Sequence, residues 1–103
     1  VKKERMPNTD HRQLAKERGT QAEFLLQNSM FAAVVSAVYD SNMEESMQTQ
    51  PHEEDRREHL YRMNRALNDI VGLLGQWVDV RDNIHTEEQL ATQDEHEGTI
   101  TYE

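Results

Sequence analysis

Apolar side chains in the second half of the chain keep one rhythm. Leu60, Met63, Leu67, Ile70, Leu74, Trp77, Arg81 and Ile84 succeed one another at alternating steps of three and four residues, the spacing that lines side chains along one seam of an α-helix. Only Arg81 interrupts the apolar character of that seam. Pro51 stands in front of it and the acidic run Glu53, Glu54 and Asp55 occupies the first turn, where the helix dipole favours negative charge. The pattern predicts a helix over residues 52–85, about 45 Å long at 1.5 Å per residue. A second apolar set, Ala66, Val71, Leu73, Val78 and Val80, widens the stripe, so this helix should touch more than one neighbour.

A shorter and denser apolar segment precedes it. Asn28 or Ser29 can cap its start, and Met30, Phe31, Val34, Val35, Ala37, Val38 and Tyr39 cover most of its circumference, which predicts burial nearly all round. Beyond residue 42 only Met43 and Met47 remain apolar, so the helix should become one-sided and fray toward Thr49 before Pro51 reverses the chain. Two helices joined this way are expected to form an antiparallel hairpin, with Phe31, Val35 and Val38 facing the seam of Leu60, Met63, Leu67, Ile70, Leu74 and Trp77. Upstream, residues 10–18 predict a short helix ended by Gly19 and Thr20, and a break is expected near Asn28. The predicted organisation is a polar basic arm with a short helix over 1–19, a helical hairpin over 20–85 and an acidic tail over 86–103. Both ends lack a core-forming pattern and are expected to be extended polar tails.

A hairpin alone buries one stripe of each helix, so the second stripe predicts an oligomer in which neighbours supply the cover. Gly72 and Gly75 each cost about 1 kcal/mol relative to Ala inside a helix, which suggests a position of close helix packing. Trp77, among aliphatic neighbours, reads as a core or interface anchor.

Composition agrees with this picture. The 103 residues include 35% apolar side chains, two prolines and four glycines, too little turn material for a sandwich or barrel. The expected class is all-α. Without cysteine, disulfides, thiolate metal sites and thiol nucleophiles drop out. The longest apolar run, residues 30–35, is far below the roughly 20 residues that span a bilayer, and the basic start does not lead into an apolar stretch of the kind a signal peptide has. No membrane association is expected.

Charge is uneven. Residues 1–18 carry six basic side chains against three acidic ones, while 87–103 carry six acidic and no basic ones, within a net charge of -9. Ends of opposite sign suit head-to-tail contacts or docking on a charged partner. Lys2, Lys3 and Arg5, with Arg12, Lys16 and Arg18, could contact phosphates or a partner, but aromatic interleaving is absent and the molecule as a whole repels nucleic acid, so binding of nucleic acid is not expected. No phosphate-binding loop, dinucleotide fingerprint, nucleophile elbow or HExxH pair occurs. Asp55 and His59 lie one turn apart and could share an ion, yet helix-start acids account for the same cluster. The expectation is a non-enzyme with no cofactor, no catalytic residue and no metal ligand.

Two stretches carry a resemblance. Arg18 and Gly19, Ala22, Leu25 and Leu26, Asn28 and Phe31, with Tyr39 eight residues on, and then Arg57 and Glu58, Leu60 and Tyr61, Ala66 and Leu67, resemble a family of small helical proteins encoded among the packaging and virion-assembly genes of tailed bacteriophages. The likeness spans about residues 18–84 and contains no chemically diagnostic motif. It implies a phage setting and transfers no catalytic residue. Within that setting the oligomerising hairpin is expected to be a structural component of the virion at a capsid, connector or tail, whose partners are further copies of itself and other virion proteins, located in the particle and otherwise in host cytoplasm. Two other functions fit the same setting. One is a DNA-packaging adaptor like a small terminase subunit. The other is an acidic regulator or inhibitor of a host protein.

Overall fold

A computed structural model describes residues 8–101, with side chains from 10 to 93, and among these the chain is all-helical: α1 is Asn8–Leu26, α2 is Ser29–Met47 and α3 is Glu54–Thr101. α3 lies against both α1 and α2. Side-chain contacts climb one leg as they descend the other: Arg57 meets Thr49, Asn64 meets Asn42, Arg81 meets Glu23 and Glu88 meets Lys16.

Local chemistry sets the element boundaries. Asn28 is extended (φ -76°, ψ 120°) and its side-chain oxygen accepts the Phe31 N–H at 2.9 Å, capping α2; such a cap contributes about 1 kcal/mol. At the far end of α2 the Thr49 hydroxyl donates to the Ser46 carbonyl at 2.8 Å. Arg57 then clasps the turn, donating to Thr49 Oγ1 and the Gln50 carbonyl at 2.8 Å and to the Pro51 carbonyl at 3.2 Å. One guanidinium thereby bonds a side-chain hydroxyl and two carbonyls of the turn, of which the Gln50 carbonyl also accepts the Glu53 N–H at 2.9 Å.

The expected seam of α3 is corrected by the structure. Leu60 is buried and Leu67 and Leu74 are half-buried against the other leg, but the alternate places are taken by Asn64, Val71 and Val78. Met63 and Ile70 stay 39% and 54% exposed. Both sets share every second member and differ by one residue at the others, which rotates the contact line by part of a turn. The observed line carries the Asn42–Asn64 hydrogen bond of 2.9 Å, in which each amide is buried and Asn64 also donates to the Tyr39 carbonyl at 3.2 Å.

Three further expectations change. α2 is not buried all round: Phe31 and Val35 turn toward α3, whereas Met30, Val34 and Val38 are exposed, because α3 covers only one stripe of its surface. α1 does not end at Gly19. It runs on to Leu26, since Gly19 is where α1 touches α3: a Cβ there would fall on the Arg81 Cβ and lie 2.7 Å from the Trp77 carbonyl oxygen. The expected acidic tail from residue 86 is helical instead, through Thr101. Residues 76–97 contain neither Gly nor Pro, Glu88 is held by Lys16 at 3.1 Å, and the Thr86 and Thr92 hydroxyls bond back to the carbonyls of Asp82 and Glu88, so nothing in the segment stops the helix.

The result is a rod of 77 × 39 × 23 Å with a radius of gyration of 22.0 Å, against about 13 Å for a compact domain of this length. Its accessible surface is 8434 Å², where a folded monomer of 12.1 kDa exposes about 6,000 Å². Ala22 and Leu60 are the buried apolar side chains among the described residues.

Candidate interaction face

The rod has two unlike faces. On one, Tyr39, Asn42 and Met43 of α2 and Tyr61, Asn64 and Asn68 of α3 border a recess of about 180 Å³, small beside the 300–1,000 Å³ typical of ligand sites. Its buried amides already bond to each other, and among the described residues no buried side-chain polar atom lacks a partner.

The opposite face is apolar. Nine residues, two and a half helical turns, separate Val34 from Met43 on α2 and Leu73 from Asn64 on α3, which puts Val34 and Leu73 on the side away from that recess. Around Leu73 runs a second ridge: Met63, Ala66, Ile70, Leu73, Trp77, Val80 and Ile84, again at alternating steps of three and four, and apolar at every position. Met63, Ile70, Leu73 and Val80 are exposed, with Trp77 and Ile84 half-covered. The other leg adds Val34 and Val38, and Met30 at the margin of the same side.

Where α1 takes over from α2 the face becomes mixed. The Arg18 guanidinium lies 4.6 Å above the Trp77 ring, a cation–π contact that covers one side of the indole. Leu25, 38% exposed, borders the same hollow as Ala22, Leu74 and Trp77. Arg81, the polar interruption of the first seam, is explained here. It reaches across to Glu23 at 2.6 Å and is flanked by Asp82 at 2.9 Å. Hydrogen bonds to Glu23 first, then to Asp82, outweigh desolvation and hold its guanidinium above the ordinary arginine pKa. Ion pairs therefore fasten α1 to α3 beside the apolar contact of Ala22 and Leu25 with Leu74 and Trp77.

Of the residues singled out by sequence, the structure brings Leu60, Leu67, Leu74, Phe31 and Val35 into the packing between the legs, and Trp77 to its edge. Met63, Ile70 and Val38 are turned out onto the apolar face. Gly72 and Gly75 make no close approach: a Cβ at either meets nothing within 4 Å. Lys2, Lys3 and Arg5 lie outside the described residues. Sequence reasoning missed Gly19, Asn42 and Asn64. The signal for Asn64 was there, a polar residue between Leu60 and Leu67 at heptad spacing.

Among the described residues no three His, Asp or Glu side chains converge as a metal ion requires, and no helix is long and apolar enough to cross a membrane. No family model, curated protein or solved structure matches the chain.

Proposed function

We propose that this chain is a non-enzymatic assembly component, an antiparallel helical hairpin that works by offering one face to other helices, as a structural element of a tailed-phage virion. The observation that carries the reading is the uninterrupted apolar ridge from Met63 to Ile84, five of its seven members open to water. Single exposed apolar residues are ordinary on any surface, but a contiguous, heptad-spaced row of them is the mark of a helix that packs against another. The virion setting is supported by the resemblance of residues 18–84 to small helical proteins of phage assembly.

Mass spectrometry of particles purified from the phage that encodes the chain tests the setting. The expected result is the chain present in fixed copy number, and its loss from particles assembled with Ile70→Glu. Particles that contain none of it overturn the reading.

A further inference from the structure

We infer that the apolar face is closed by a second copy of this chain, two-fold related, with the α3 ridges antiparallel across the interface so that two hairpins form a four-helix bundle. The inference rests on the reading of the chain as an assembly hairpin and adds its first partner.

Area is the first argument. The ridge from Met63 to Ile84 covers 22 residues, about 32 Å of helix, and two helices side by side are about 20 Å wide, so face-to-face docking covers about 640 Å² per copy. The total of about 1,300 Å² lies in the range of specific interfaces, about 1,200–2,000 Å². The surface the lone chain exposes beyond that of a compact monomer, 8434 Å² against about 6,000 Å², exceeds that need.

Self-complementarity is the second. The ridge reads similarly from either end. Leu73 is its middle member, Ile70 and Trp77 lie on either side of that centre, and Met63 and Ile84 terminate it. A two-fold axis near Leu73 thus sets bulky side chains against bulky side chains. Charge fixes the orientation. Arg62, paired with Glu58 of its own helix at 3.0 Å, and Glu87, paired with Arg12 of α1 at 3.7 Å, are both mostly exposed and lie on the same flank of α3 just beyond the two ends of the ridge. Antiparallel stacking brings Arg62 of each copy near Glu87 of the other, whereas parallel stacking sets Arg62 on Arg62 and Asp69 on Asp69. An antiparallel pair also closes on itself and leaves no further sticky face, as an isologous dimer does.

The chain contains no cysteine, so a single introduced thiol reports the geometry. Sedimentation equilibrium of the full chain is expected to give twice 12.1 kDa, and Leu73→Cys is expected to oxidise to a covalent dimer while Met43→Cys, exposed on the opposite face, is not. Ile70→Glu, at a position the hairpin itself leaves open, is expected to weaken self-association at least tenfold with helicity retained at high protein concentration. A folded monomer at tens of micromolar, or cross-linking through Met43→Cys in preference to Leu73→Cys, overturns the inference. A monomer that is nevertheless a fixed component of particles overturns the dimer and leaves the assembly role standing.

Discussion

Two glycines separate what a sequence suggests from what a contact requires. Gly19 sits against the Arg81 Cβ and the Trp77 carbonyl, while Gly72 faces open space. Gly19→Ala must displace backbone or the stem of an ion-paired arginine, so the roughly 1–3 kcal/mol cost of overpacking is expected to exceed the roughly 1 kcal/mol gained in helix propensity. Gly72→Ala has only the gain, about 0.5–1 kcal/mol. Urea unfolding of the pair should move the midpoint in opposite directions, and a matching shift would show that the close contact at Gly19 does not matter. The buried amides are a second residue-level case. Asn64→Ala leaves Asn42 buried without its acceptor, at a cost of about 1–3 kcal/mol. The double variant Asn42→Leu, Asn64→Leu removes both polar groups, and its melting temperature is expected to recover to near the parent value or above it.

At the scale of elements, α1 and α2 hold α3 by different means. α2 has the Asn pair, Phe31, Val35 and the Arg57 clasp; α1 has Gly19 at close range and the pairs of Arg81 with Glu23 and Lys16 with Glu88. Arg81→Ala is therefore expected to speed amide hydrogen exchange over residues 10–26 severalfold more than over 29–47; equal acceleration in both would mean that the two helices detach together. Much of this organisation was legible beforehand. The helical class, the three-four rhythm of α3, the cap at Asn28 and the break beside it are written in residue types. Which of two apolar lines on α3 turns inward was not legible. Both lines are heptad-spaced and share a helix, and the inward one is marked by a polar residue, Asn64, that a count of apolar positions penalises. Gly19 read as a stop because glycine ends helices more often than it admits a neighbour. The acidic stretch after residue 85 read as a tail because its helix has one ion-paired neighbour and no apolar stripe of its own.

At the scale of the whole molecule, a buried apolar core of Ala22 and Leu60 among the described residues is small, since a domain's stability comes chiefly from the apolar area it withdraws from water. If neighbours complete that core, stability is tied to protein concentration. The melting temperature is expected to rise by several degrees on going from 1 to 100 μM, and a concentration-independent melt would assign all of the stability to the isolated rod. The Asn42–Asn64 pair has one more consequence. Sliding one leg past the other by a heptad would set Asn42 beside Val71 or Arg57 and Asn64 beside Val35 or Thr49; where the new neighbour is a valine, the amide is stranded in an apolar setting at about 1–3 kcal/mol. Creep by a heptad is thereby disfavoured by about 5- to 150-fold, and two amides hold the rod to one register and so to one length.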